Sequence, residues 1–165
     1  MATELYDLTV PLFSKRLEAL SALLDKARDH AGQDADALLE HRLIADMHPL
    51  TRQVQMAADS AKLCVARLSG RDAPVMEDTE TTIDQLQARI RATLDYLASV
   101  PRESVDGQED REVVLTFPSG EMRFIGRDYA IGFAQPNFYF HLTTAYALLR
   151  ARGVPIGKRD FFGGM

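Results

Sequence analysis

The sequence predicts an all-α protein, a four-helix bundle that carries a small β-hairpin between its third and fourth helices. In three long stretches, apolar residues recur at alternating spacings of three and four, which is typical of amphipathic helices. Between residues 113 and 124 the pattern changes to alternation, which is typical of strands. Residues 129–149 contain no Asp, Glu, Lys or Arg, which indicates a helix buried in the protein.

The first helix is predicted to run from Thr3 or Asp7 to Asp29. Its leucines share one face, and Gly32 follows its end. Pro11 falls inside the pattern and predicts either a kink or a helix that starts just before it.

The second helix is predicted over Asp46–Ser69. Asp46 suits the N-cap position, and Pro49 falls in the first turn, where a missing N–H does no harm. The apolar face includes Cys64, the single cysteine, for which we expect a buried thiol. Gly70 ends the helix.

The third helix is predicted from Thr79 to Val100, and Pro101 stops it. The two alternating runs that follow predict a hairpin, with Gly120 supplying a positive φ at the turn. The acidic stretch "EDTETT" ahead of the third helix is explained by the helix dipole rather than by a cation site.

The fourth helix is predicted from Arg127 to Arg152, with a kink at Pro136. It has more apolar surface than one helix seam needs, which predicts a homodimer. Phe161 and Phe162, in the tail, are expected to dock on the body of the protein. The absence of repeats and linkers indicates one domain over residues 1–165.

Composition excludes some function classes. The net charge of -5, without a Lys/Arg block, argues against nucleic-acid binding. The stretch 129–149 is long enough to cross a bilayer, but it contains several polar side chains, so we expect no membrane span. The opening "MATELYDLTV" does not resemble a signal peptide, and we expect a cytoplasmic location.

His141 is the candidate site residue of the fourth helix. It lies among aromatic residues in "NFYFHLTTAY", and Asn137 lies one turn earlier on the same face. A neutral imidazole could bind a divalent metal, with Asn137 adding an amide oxygen. The alternative is that His141 hydrogen-bonds a buried partner, Asp46 or Gln53, and specifies the packing. Together Asp46, Gln53, Asn137 and His141 form a candidate ligand pocket.

His48, near the start of the second helix, is a further candidate ligand. Its neighbours on the helix face are polar, which indicates an edge position, and Arg52 brings positive charge that disfavours a cation there. The remaining histidines, His30 and His41, lie among charged residues and are expected to be exposed. The usual phosphate-loop, nucleotide-binding, Cys-pair and HExxH motifs are absent.

Three stretches carry a resemblance to a known family: "LYDLTVPLFSKRLEALSALLDKA", "ADMHPLTRQVQMAADSAK", and the long run from "VLTFPSGEMRF" to "VPIGKRDF". They resemble an uncharacterised bacterial domain-of-unknown-function family of the DinB/YfiT-like superfamily. The resemblance implies an up-down-down-up four-helix bundle, commonly dimeric. It also implies a metal site with one histidine from the second helix and an HxxxH pair on the last.

In this sequence His141 matches the second histidine of that pair, Asn137 stands in place of the first, and His48 is the second-helix candidate. Asn is a poorer ligand than imidazole for zinc or nickel. Two functions follow as hypotheses. One is a small-molecule-binding or stress-associated dimer with a degenerate metal site. The other is a metal-dependent enzyme, of the thiol-using transferase, isomerase or hydrolase type, that holds a divalent zinc or nickel ion through its histidines.

Overall fold

The structure is a computed structural model that describes residues 4–164. It is mostly helical with one two-stranded antiparallel sheet, which confirms the coarse fold prediction. That the helices form an up-down-down-up bundle stays a prediction. The helices are α1 (Val10–Ala31), α2 (Leu50–Ser69), α3 (Ile83–Ser99), α4 (Gly126–Tyr129), α5 (Gln135–Ala151) and α6 (Lys158–Phe161). The strands are β1 (Glu112–Phe117) and β2 (Gly120–Ile125).

Helix α2 is at the centre of the packing, in contact with α1, α3 and α5. Its core-facing residues include Val54, Ala57, Ala61 and Cys64, all fully buried. Because most of these side chains are small, the neighbouring helices can approach closely, and α5 makes the most extensive contact with α2. The predicted buried thiol of Cys64 is confirmed.

Helix α1 begins at Val10, with Pro11 in its first turn, which confirms the predicted alternative of a helix that starts just before Pro11. The start at Asp7 was wrong, and the start at Thr3 lies outside the described residues. The predicted start of α2 was also wrong. Helix α2 begins at Leu50, not at Asp46, and its N-cap is Pro49, which has extended backbone and makes no side-chain cap. The reason lies in Pro49 itself, because proline disfavours helical backbone at the residue before it.

The third helix also starts later than predicted, at Ile83. Thr82 is its N-cap and accepts a hydrogen bond from the Gln85 backbone N–H, while the Gln85 side chain accepts one from the Thr82 N–H. This reciprocal capping box fixes the helix start. The predicted end was nearly right, since α3 ends at Ser99, before Pro101.

The segment before α3, residues 71–82, has no regular secondary structure and is held by a buried arginine. The Arg89 side chain, 1% exposed, is bound to Glu80, Asp78 and Asp59, and it also donates to the Glu77 carbonyl. These contacts fasten the segment to α2 and α3.

The hairpin forms as predicted, with Val113 opposite Phe124 and Leu115 opposite Met122. Gly120 has φ +134°, a conformation that glycine adopts readily. The core-facing Val113 and Leu115 are buried. The hairpin therefore lies with one side against the helices, next to the start of the fourth predicted helix.

The fourth predicted helix is present but irregular. Between α4 and α5, residues Ala130–Ala134 form a π-helical turn, in which the Gln135 N–H bonds to the Ala130 carbonyl. Pro136 lies in the first turn of α5, where the predicted kink is replaced by this widened turn. Widened turns of this kind are frequent at functional sites.

The tail docks on the body of the protein, as predicted for its aromatic residues. The ring of Phe161 packs edge-on against Tyr146 at 5.7 Å, and Asp160 pairs with Lys26 of α1. No helix within residues 4–164 combines the length and the apolar character needed to cross a membrane.

Candidate functional site

A cleft of about 280 Å³ lies between α2 and α5, beside strand β1. Helix α2 lines it with residues at helical spacing, from Met56 through Ser60 and Leu63 to Arg67. Helix α5 contributes Asn137 and His141. The remaining lining residues are Asp59, Leu115, Thr116, Phe117, Tyr129, Phe133 and Ala134.

His141 is held by Gln53. Its Nδ1 lies 2.8 Å from Gln53 Oε1, and Gln53 Nε2 donates to the His48 carbonyl at 3.1 Å. Since the amide nitrogen of Gln53 must face that carbonyl, its oxygen faces the ring, and His141 Nδ1 carries the proton. In the neutral ring, Nε2 is therefore an unprotonated acceptor. Asp46 and Gln53 were the two hydrogen-bond partners predicted as possible for His141, and the partner in the structure is Gln53.

The Nε2 of His141 is available to a ligand. His141 lines the cleft, and the described residues provide no hydrogen-bond partner for Nε2. Nε2 is not fully buried, and it therefore reaches the cleft or solvent. Burial, together with the nearby His48 and Arg52 side chains, lowers the pKa of His141 below its ordinary value of 6.5. Near neutral pH the ring is an uncharged hydrogen-bond acceptor.

Asn137 adds a second acceptor. Its Nδ2 donates to Ser60 Oγ at 2.7 Å, and the Ser60 hydroxyl in turn donates to the Met56 carbonyl at 2.7 Å. The Ser60 proton is committed to that carbonyl, so the Asn137 amide must present its nitrogen to Ser60. Its Oδ1 is then left with no protein partner among residues 4–164. Asn137 and His141 thus bring two acceptors to one side of the cleft.

Arg67 is at another part of the cleft and was not predicted as a site residue. Its Nη1 donates to the Tyr129 hydroxyl at 2.7 Å, and the guanidinium lies 5.6 Å from the centre of the Tyr129 ring. No carboxylate of the described chain lies within ion-pair distance of it. The sequence does contain a pattern that could have indicated this site. On α2, Met56, Ser60 and Arg67 recur at helical spacing and so share a face next to the one that packs in the core.

The structure brings together three of the predicted site residues, namely Gln53, Asn137 and His141. Asp46 is exposed in a turn, outside the cleft lining. His48 is exposed as well, and its contribution is the backbone carbonyl that orients Gln53.

The side chains present do not fit a tightly held zinc or nickel ion. Such sites use three or more imidazole, thiolate or carboxylate ligands. This cleft offers one imidazole nitrogen, one amide oxygen and the carboxylate of Asp59, which is already paired with Lys62 and Arg89. Within residues 4–164 there is no group of three His, Cys, Asp or Glu side chains arranged to hold a metal. The charge of Arg52 acts on His141 and further disfavours a cation there.

Comparison with known proteins gives a consistent result. Residues 5–162 match a family model described as a domain of unknown function, DUF1993. The chain is similar to a DinB family member protein from Shewanella denitrificans, whose crystal structure has 44% sequence identity and a TM-score of 0.89. The match covers 98% of this chain and 93% of that one. No curated protein matches the chain.

Proposed function

This chain belongs to the DUF1993 domain-of-unknown-function family and is a DinB-like protein, and we propose that it binds a small molecule in the cleft between α2 and α5. One observation carries the proposal: the hydrogen bond from His141 Nδ1 to Gln53, which leaves Nε2 of this cleft-lining residue as an acceptor without a partner among the described residues. In a histidine with only a packing role, both ring nitrogens would be hydrogen-bonded within the protein or fully buried. Here a buried amide orients one nitrogen and leaves the other for a ligand.

The surroundings of His141 support binding rather than packing alone. Asn137 presents a second acceptor on the same face of α5, and apolar side chains of α2 and the hairpin complete the cleft. Ligand sites are commonly apolar clefts with a few oriented polar groups. In this proposal the metal site of related folds is degenerate, with Asn137 in place of a histidine.

A second candidate is a metal-dependent enzyme in which His48, Asn137 and His141 hold the ion. One observation favours it, because metal-binding histidines commonly donate their other ring N–H to an oxygen, as His141 does to Gln53. The donor set described above is weak for that purpose, so we place this candidate second.

Metal analysis of protein purified without a histidine tag separates the two candidates. We expect less than stoichiometric zinc, nickel or iron, and no gain in thermal stability on adding them. His141→Ala is the site variant, and His30→Ala, in an exposed histidine at the end of α1, is its control. Stoichiometric metal that disappears in His141→Ala but not in His30→Ala would overturn the first candidate.

Ligand binding itself is tested by amide chemical shifts recorded with a collection of small organic molecules. We expect chemical-shift changes confined to residues around the cleft. The variants Asn137→Leu and His141→Leu should make these changes smaller. If no compound shifts these residues, the binding proposal fails.

We also propose a homodimer of four-helix-bundle protomers. Phe140 is 56% exposed on α5, and Ile131, in the π-helical turn, is 41% exposed, so an apolar surface stays uncovered in one chain. Light scattering during gel filtration tests this, and a monomeric mass at micromolar concentration would contradict it. The single-domain organisation and the cytoplasmic location stay predictions.

A further inference from the structure

We propose that the molecule bound in the cleft is a small organic acid, with its carboxylate on Arg67 and a hydrogen-bond donor at its other end. This inference rests on the proposed binding function and names the chemical class of the ligand. Arg67, which is half-buried, is the unassigned charge of the cleft, and it differs from the buried Lys62 and Arg89 in having no carboxylate partner among the described residues.

The carboxylate of the cleft lining, Asp59, does not form an ion pair with Arg67. Asp59 lies 3.0 Å from Lys62 Nζ and 3.2 Å from Arg89 Nη1, so it is already shared between two cations. The contacts of Arg67 are the hydroxyl and the ring face of Tyr129, and both are uncharged. A guanidinium with one nitrogen fixed keeps further N–H donors for a carboxylate, which it binds through two parallel hydrogen bonds.

A carboxylate suits this place better than a phosphate ester. Among the described residues the cleft holds one arginine, and the helix that starts beside it, α5, continues the π-helical turn, so that its first N–H, that of Gln135, is already bonded to the Ala130 carbonyl. A dianion would need more donors than one guanidinium supplies. One arginine matches a single negative charge.

The opposite pole of the ligand is set by Asn137 and His141. Asn137 is hydrogen-bonded to Ser60, which precedes Arg67 by seven residues, so the two poles are about 10 Å apart along α2. The free atoms at this pole, Oδ1 and Nε2, both accept hydrogen bonds at neutral pH. They therefore recognise a hydroxyl, amine or amide N–H, and they repel a second carboxylate.

Between the poles the wall is apolar, with Leu63 from α2, Phe117 from the hairpin and Phe133 from the π-helical turn. The volume, about 280 Å³, is at the lower limit of ligand pockets, which start at about 300 Å³. The ligand is therefore a short acid with an apolar or aromatic body rather than a nucleotide or a long-chain lipid.

The probe is 3-(4-hydroxyphenyl)propanoate, which has a carboxylate and a phenolic hydroxyl at opposite ends of an aromatic body. It is compared with its methyl ester, which lacks the charge, and with 3-phenylpropanoate, which lacks the donor. Affinity is measured on the full chain by amide chemical shifts and by calorimetry. Arg67→Gln is the test variant, and Arg91→Gln removes the same charge from an exposed position on α3.

We expect the hydroxy acid to bind more tightly than either analogue. Arg67→Gln should weaken it by about tenfold or more and abolish its advantage over the ester, because a charged hydrogen bond is lost. Arg67→Lys, which keeps the charge without the planar fork, should fall between wild type and Arg67→Gln, and Arg91→Gln should bind as wild type does. Thermal melting verifies that each variant is folded.

Four results would overturn the inference. If the ester binds as well as the acid, or Arg67→Gln binds the acid unchanged, the anion assignment is wrong while cleft binding survives. If 3-phenylpropanoate binds as well as the hydroxy acid, the donor assignment is wrong. If none of the three shifts a cleft residue at about 10 mM, where even a 1 mM affinity would give near saturation, both the inference and the proposed function fail.

Discussion

Replacing Arg89 by Met tests whether the buried charge network holds residues 71–82 in place. The guanidinium is 1% exposed, and it binds Glu80, Asp78 at 2.6 Å, Asp59 at 3.2 Å and the Glu77 carbonyl at 2.9 Å. Met fills a similar volume with an unbranched side chain but supplies no donor. The variant therefore leaves three carboxylates that have lost a cation.

The magnitude follows from how far those carboxylates can regain water. Removing one partner of a fully buried ion pair costs about 3–5 kcal/mol. Here the Glu80 side chain is 11% exposed and cannot rehydrate fully, whereas Asp59 and Asp78 are 32% and 41% exposed and can. Arg52 also continues to pair with Asp78. We therefore expect a loss of about 3 kcal/mol, at the lower end of that range.

The assay is urea unfolding followed by circular dichroism at pH 7, with Arg91→Met, on the exposed face of α3, as control. Burial raises the pKa values of Asp78 and Glu80, but hydrogen bonds and charge from Arg52, Arg89 and Gln55 outweigh it and lower both below their ordinary values of 3.8 and 4.5. The stability these carboxylates contribute is thus present above those values and is lost as the pH falls through the lowered ones.

The difference between wild type and Arg89→Met should accordingly shrink as the pH falls below about 4. A loss under about 1 kcal/mol at pH 7, equal to that of Arg91→Met, would refute the reasoning, since the network would then contribute no more than an exposed ion pair. A loss that does not change with pH would refute its electrostatic part and leave only packing.

Four further predictions concern other sites. Burial raises the pKa of the Cys64 thiol to about 12, so a disulfide reagent should leave the native protein unlabelled at pH 8 and label it in urea. Proton titration by NMR should give His141 a pKa below 6.5, and because the unfolded chain binds that proton more readily, the histidine should lower stability as the pH falls below 6.5. Gly126→Ala would place a Cβ 2.2 Å from the Gln108 carbonyl oxygen and should cost about 2 kcal/mol or more in urea unfolding. Gly132→Ala meets no atom within 4 Å and should be neutral or slightly stabilising.

The predicted elements that rested on strong local signals were confirmed. The hairpin followed from alternation and from Gly120, because side chains in a strand point to opposite faces in turn and the turn needs a positive φ. The late start of α3 was missed because Thr82 and Gln85 form a capping box that competes with the acidic residues before it. The π-helical turn at Ala130–Ala134 could not be predicted from apolar spacing, since Pro136 is equally consistent with a simple kink.

The site was predicted in part for a similar reason. Asn137 and His141 were found because two polar residues one turn apart stand out on an apolar helix. Arg67 was missed because a single arginine near a helix end usually has a structural explanation in the helix dipole. Its significance depends on the lack of an ion-pair partner for it among residues 4–164. That depends on α2, α4 and the hairpin together and is not encoded in any local pattern.

The wrong start of α2 and the orientation of His141 have one cause. Because Pro49 is extended, the first helical N–H to bond back is that of Gln53, to the Pro49 carbonyl. The His48 carbonyl is left outside the helix and accepts the Gln53 side-chain amide instead. Had the helix begun at Asp46, that carbonyl would have bonded the backbone N–H four residues on. Gln53 would then have been free to turn over, and the proton on His141 would have had no fixed place.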